Sequence, residues 1–231
     1  MKISQLLISF FLIFLFSAGL KAQRRNDFIS SRNENTGTII FSIGPQYCFG
    51  DTKQSPFAQS LAKNWDVSLG FREMFPGNFG FKALINCGNV SGSDGNLINR
   101  SYSFSSKTWQ MSVQGIYSYN FGSHSGHSAP SNSLYSFLGV GLISSSADLN
   151  FIPRSNYLYK TNLNNQLVSA PFIPYGFGYE YRFRNNISIG IEYNIKYTFS
   201  DYIDGFKPPF PDSRYTDILE SVSITLGYKI F

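Results

Sequence analysis

Residues 187–199 read ISIGIEYNIKYTF, and their patterning decides the fold. Ile187, Ile189, Ile191, Tyr193, Ile195, Tyr197 and Phe199 share one parity, while Ser188, Gly190, Glu192, Asn194, Lys196 and Thr198 share the other. A period of two puts these sets on opposite faces of a β-strand, and a 3.6-residue period does not fit them. The 13-residue stretch, at about 3.3 Å per residue, runs about 43 Å, far beyond the about five or six residues usual for soluble strands. A strand crossing a bilayer at about 45° needs only about 9 to 11 residues. The stretch therefore predicts a membrane-crossing strand with one face in lipid and one in a polar interior. A soluble sandwich strand is the competing reading.

Seven further segments repeat the pattern. Residues 38–49 put Ile39, Phe41, Ile43, Tyr47 and Phe49 on one face, and residues 65–75 do the same with Trp65, Val67, Leu69, Phe71 and Phe75. Pro76, Gly77 and Asn78 then supply the dihedrals of a tight hairpin, so residues 79–87 pair back on the second strand. Residues 108–121 alternate Trp109, Met111, Val113, Tyr117, Tyr119 and Phe121 against Gln110, Ser112, Gln114, Ser118 and Asn120. Residues 134–143 are apolar on both parities, which leaves their face open. Residues 171–183 send Ile173, Tyr175, Phe177, Tyr179 and Tyr181 one way, and Arg184-Asn185-Asn186 turns the chain into the opening stretch. Residues 217–231 close the series with Val222, Ile224, Leu226, Tyr228 and Ile230 outward.

Eight such strands predict an all-β fold, an eight-stranded antiparallel transmembrane β-barrel of the outer-membrane type. Closure removes the unpaired strand edges that lipid cannot satisfy. The connections after the second, fourth and sixth strands are short, and the other connections are long. That asymmetry is expected of periplasmic turns and surface loops, and it puts both termini in the periplasm. Tyr47, Trp65, Trp109, Tyr119, Tyr181 and Tyr197 lie near strand ends, where interfacial aromatic girdles belong. Phe231 shares the parity of Lys229 and not of Tyr228, so either a bulge shifts the last register or Tyr228 is the girdle residue.

The N-terminus sets the compartment. Met1-Lys2, an apolar run from Leu6 to Phe16 and small residues up to Ala22 form the three parts of a secretory signal peptide, residues 1–22, with cleavage nearer Ala18 as the alternative. Residues 23–37 contain little that could pack and read as a periplasmic leader, and residues 38–231 form the barrel. Only 14% of residues are charged and 17% are aromatic, while the mean hydropathy is slightly negative. A barrel accommodates that mixture, because every second strand residue can stay polar; a helical membrane protein does not. Removing Lys2 and Lys21 lowers the formal net charge from +5 to +3, too weak and scattered for a nucleic-acid footprint.

The inward parity collects Arg72, Lys82, Glu180, Arg182, Glu192 and Lys196, with Gln46, Asp66, Gln110, Gln114 and Lys229 beside them. Both signs are present, so ion pairs and amides can fill a lumen that has room for side chains or at most one small ligand. Neither a solute channel nor a small-molecule substrate is expected. His124 and His127 are the only histidines; no nearby carboxylate or cysteine completes a metal sphere, and no cofactor is expected. No outward His/Ser/Glu cluster near a rim suggests lipid-modifying chemistry, so the chain reads as non-enzymatic. Cys48 and Cys87 are the only cysteines. An even count in an oxidising compartment favours a bridge. Yet they lie on non-adjacent strands and opposite parities, so a bridge would require the chain to bend at the rim, and the question stays open.

Several strings resemble a known family: YCFGD at 47–51, NVSGSD at 89–94, the strand around Trp109, LGVG at 138–141 and, most specifically, YTFSDYID at 197–204. In order and spacing the chain resembles small Bacteroidota outer-membrane barrels, a family that includes the PorG-type component of the type IX secretion system. The resemblance implies an integral outer-membrane protein without catalysis that associates with the periplasmic ring of PorK and PorN and supports export of cargo proteins. It directs attention to the periplasmic surfaces, namely the leader with Arg24, Arg25 and Arg32 and the turn with His124 and His127. The alternative is a stand-alone barrel of the OmpX/OmpA kind, serving envelope integrity or surface adhesion.

Overall fold

The computed structural model describes residues 36–49, 64–75, 78–93, 101–121, 131–152, 166–183, 186–200, 202–203 and 216–230, all within the unit 34–231. Eight strands follow one another around a closed antiparallel barrel: β1 (Thr36–Phe49), β2 (Trp65–Met74), β3 (Phe79–Ser93), β4 (Ser101–Phe121), β5 (Ser131–Ile152), β6 (Leu167–Arg182), β7 (Ile187–Thr198) and β8 (Ile218–Lys229). β1 pairs with β2 on one side and β8 on the other, so no strand edge faces the membrane zone.

The predicted alternation holds along β1, β2, β4, β6, β7 and β8, whereas in β3 the consecutive Lys82, Ala83 and Leu84 are all buried. Along β7 the even positions are buried while Ile187, Ile189, Ile191 and Tyr197 are exposed. The outward surface carries aliphatic side chains in its middle, among them Leu69, Val113, Leu138, Val140, Ile191 and Ile224. Aromatics bracket this zone, with Phe49, Trp65, Trp109, Tyr197 and Phe199 toward the long connections and Phe75, Phe79, Tyr119, Phe183 and Tyr228 toward the short ones. From Trp65 to Phe75, ten residues at about 3.3 Å and about 40° of tilt give a height of about 25 Å, the expected apolar band of an outer-membrane barrel. Such a surface is compatible with acyl chains and not with water.

Two of the three short connections close in the same way. Phe75 N donates to Phe79 O, and Phe183 N donates to Ile187 O. Asn78 (φ 73°) and Asn186 (φ 64°) take the left-handed conformation just before the next strand, which asparagine tolerates better than most residues. Three prolines sit within strands, and the ladder opens at Pro45 and Pro174, whereas Pro171 stays paired with Leu142. The β1–β8 pairing passes from Ile43↔Ile224 to Gln46↔Ser221 without bridges at Gly44–Pro45, and β5–β6 passes from Leu138↔Tyr175 to Gly141↔Phe172 around Pro174. A residue without an N–H cannot donate there, yet the register on either side is unchanged.

Four strands run beyond their expected ends. The sequence suggested that β3 stops near Cys87, that β4 starts at Thr108, and that β5 and β6 are limited to 134–143 and 171–183. The pairings continue to Ser93↔Ser103, Ser101↔Ile152 and Ser146↔Leu167. The serine-rich stretches there read as loops in isolation, but each finds its backbone partners on a neighbouring long strand. β4 therefore begins eight residues before Trp109, carrying the sheet about 20 Å past the girdle at about 3.3 Å per residue and about 40° of tilt. β1 likewise starts two residues inside the expected leader, with Thr36 and Gly37 paired to Met74 and Glu73. At the other end, β8 keeps a continuous register through Tyr228 and Lys229, so no bulge intervenes and Tyr228 is the outward girdle residue. The signal peptide, most of the leader and Phe231 lie outside the described residues.

Candidate functional site

The lumen is the chemically dense part of the molecule. Inward positions on β2, β3, β6 and β7 place charges at facing heights, and side chains long enough to cross a narrow barrel join them. Arg72 on β2 reaches Glu180 on β6 (Nη2 to Oε2, 2.5 Å), and Lys82 on β3 reaches Glu192 on β7 (Nζ to Oε2, 2.7 Å). Lys196 on β7 returns across to Asp66 on β2 (Nζ to Oδ2, 2.7 Å) and also donates to Gln46 Oε1 at 3.1 Å. Asn86 adds a donor to Asp66 at 3.1 Å, and Tyr135 on β5 donates its hydroxyl to Glu192 at 2.9 Å. Three buried cations thus face three buried carboxylates, each pair spanning the lumen. Arg182, partly exposed, supplies a further contact to Glu180 Oε1 at 3.3 Å. The six interior residues singled out from sequence therefore fall into three groups, Arg72 and Arg182 on Glu180, Lys82 with Tyr135 on Glu192, and Lys196 on Asp66 and Gln46.

The sequence reading missed the apolar half of the interior. β5 turns Tyr135, Phe137 and Ile143 inward and Leu138, Val140 and Leu142 outward. Tyr135 and Phe137 pack with Ile116, and Lys82 Nζ lies 4.1 Å from the centre of the Phe137 ring, within cation–π range. Glycines make room for these rings: a side chain on Gly178 would meet the Tyr135 ring, and one on Gly141 would meet Phe172. Near the long connections a second cluster joins Val90, Phe104, Ile143, Ala170, Phe172, Ile203 and Leu219. Ile203 folds back over the barrel end, its N–H bonded to Asp217 Oδ2 at 2.7 Å, and is 1% exposed. The paired inward glycines of β5 and β6 were the available signal for this packing.

Cys48 belongs to that second cluster, whereas Cys87 faces outward beside Val67 and Trp109. The bridge left open above is not formed, because the two side chains leave opposite faces of the barrel wall and β1 and β3 are separated by β2. Arg24, Arg25, Arg32, His124 and His127 lie outside the described residues. Among the described residues no group of three or more His, Cys, Asp or Glu side chains could hold a metal.

The arrangement obstructs passage. An apolar plug at the long-connection end and a cross-lumen ion network in the middle leave a cavity of about 210 Å³ at the short-turn end, lined by Arg72, Tyr135, Glu180 and Arg182 among others.

No known protein family matches the chain, and no curated protein does. Solved structures do. Neisserial surface protein A is 10% identical with a TM-score of 0.50, the match covering 85% of this chain and 99% of that one. Ail, the attachment invasion locus protein of Yersinia pestis, solved with the heparin analogue sucrose octasulfate, is 13% identical with a TM-score of 0.47 over 85% and 99% of the two chains. A major outer membrane protein from Thermus thermophilus is 11% identical with a TM-score of 0.49 over the same shares. At such identities the likeness to the Neisserial protein bears on the fold alone, and it agrees with the outer-membrane barrel architecture.

Proposed function

We propose that the protein is a non-enzymatic integral barrel of a Gram-negative outer membrane, both termini periplasmic, that acts through its two rims and not through its lumen. The observation that carries this reading is the sealed interior, in which the buried pairs at Arg72, Lys82 and Lys196 lie beneath the apolar cluster around Ile143 and Phe172. A channel would need a continuous wet path, and a catalyst would need an accessible cluster of reacting groups. Reconstituted in planar bilayers, the purified protein is expected to show no stepwise conductance; stable ohmic channels from the full mature chain would overturn the reading.

Within that frame, the task proposed is support of type IX protein export by association with the periplasmic PorK/PorN ring. The support is the sequence resemblance, strongest in residues 197–204. Deleting residues 24–34 and 123–130, which leaves all eight strands intact, is expected to abolish recovery of the ring proteins in a pull-down. Undiminished recovery would remove this assignment. The second reading, a stand-alone barrel acting at the cell surface, is favoured by one observation, the sheet of β3 to β6 that continues past the girdle. Loss of the gene distinguishes them: blocked export of many cargoes supports the first, and impaired envelope robustness or adhesion with normal export supports the second.

A further inference from the structure

The cavity at the short-turn end has more to offer a ligand than the ion network uses. Its single carboxylate among the described lining residues, Glu180, already has both oxygens engaged, Oε2 by Arg72 at 2.5 Å and Oε1 by Arg182 at 3.3 Å. Two guanidiniums carry about ten N–H donors between them, so donors far outnumber acceptors. Arg72 lines the cavity at 5% exposure, and its Nε, shielded from solvent, has no acceptor among the described residues. Arg182 at the rim keeps about a third of its side chain exposed, and Asn78, Asn120 and Ser118 add further polar groups around the opening. The charges of the described lining residues, Arg72 and Arg182 against Glu180, sum to one positive.

We infer that this cavity is a binding site for one monoanionic carboxylate group, of the kind borne by an aspartate or glutamate side chain or by a peptide C-terminus. The sign follows from the excess of guanidinium donors over carboxylate acceptors, since an incoming cation would find Glu180 already saturated. A single negative charge matches the lining's surplus, whereas a phosphate dianion exceeds it. The size admits such a group, because about 210 Å³ is room for about seven waters at about 30 Å³ each. The ring layer of Tyr135, Phe137 and Ile116 and the Lys82–Glu192 pair block the way further in, so the group enters from the short-turn end and stays there. Planar guanidiniums suit such a ligand, because they bind carboxylates through paired N–H donors. The site does not depend on whether the barrel serves secretion or the cell surface.

The test is a titration of the full mature protein in nanodiscs, read from the Nε–Hε NMR signals of its arginines. The probes are the peptide N-acetyl-Gly-Glu-Gly-amide, its Gln counterpart and inorganic phosphate. Saturable shifts of the Arg72 and Arg182 signals with the Glu peptide alone are expected. Arg182→Gln, a rim change that leaves the buried pairs in place, is expected to weaken the Glu peptide at least about tenfold, the usual consequence of losing one charge-assisted hydrogen bond. No saturation with the Glu peptide, an equal response to the Gln peptide, tighter binding of phosphate or unchanged affinity in Arg182→Gln would each overturn the assignment. The parent titration decides by itself should the variant fail to insert.

Discussion

Glu192→Leu is expected to destabilise the barrel by about 3–5 kcal/mol, measured as the shift in urea unfolding of protein folded into lipid vesicles. The substitution leaves the Lys82 ammonium, 2% exposed, without its carboxylate and removes the acceptor of the Tyr135 hydroxyl. An uncompensated buried charge carries the full desolvation penalty, which is larger than the net worth of the pair. The double change Lys82→Met with Glu192→Leu should therefore recover most of the loss, because the site then becomes apolar beside Phe137, whose ring Lys82 already touches. A single variant within about 1 kcal/mol of the parent would show that water reaches this level of the lumen and that the interior is not sealed there.

Ile191→Arg is the second large effect, expected at about 2–4 kcal/mol in the same assay. Ile191 is 58% exposed, pairs with Ile224 on β8 and Tyr179 on β6, and sits midway between the two aromatic girdles. Its exposure is to acyl chains, where a guanidinium has no solvation. Tyr228→Arg, on the same face but in the girdle, should cost only about 0–1 kcal/mol, because the side chain can reach the headgroups. Equal costs at the two positions would mean that the outer face lacks the depth profile of a bilayer. On a water-soluble barrel, neither change would matter much.

The strand count, the hairpin order and the lipid face were legible in the sequence because they depend on parity alone, and parity survives errors of several residues at strand ends. Ile39, Trp109, Tyr175 and Ile224 all face outward as the alternation requires. Strand length was not legible at Ser101–Phe121 or Ser131–Ile152, since a serine-rich run is strand or loop according to whether a partner stands beside it, and that partner lies on another segment. The interior was half legible. Charges on the inward parity had to be paired in a dry lumen, and Arg72, Lys82, Glu180, Glu192 and Lys196 are paired. Which cation meets which carboxylate depends on facing strands, so Asp66 found Lys196, 130 residues away, without any local signature. The apolar inward residues Phe104, Ile143 and Phe172 escaped notice because an alternation of wet and greasy faces treats the lumen as uniformly polar, whereas this lumen is plugged with rings at one end.

The central claim is that the two faces of the wall meet different media, and a nitroxide scan of β7 tests it most directly. Single cysteines carrying spin labels from 187 to 198, placed in a Cys48→Ala, Cys87→Ser background, would be read in vesicles for accessibility to oxygen, which concentrates in acyl chains. The structure predicts high accessibility at 187, 189, 191 and 197 and low accessibility at 188, 190, 192, 194, 196 and 198, a strict period of two. Uniform accessibility along the strand, or a period near 3.6, would contradict the barrel wall on which every other conclusion rests.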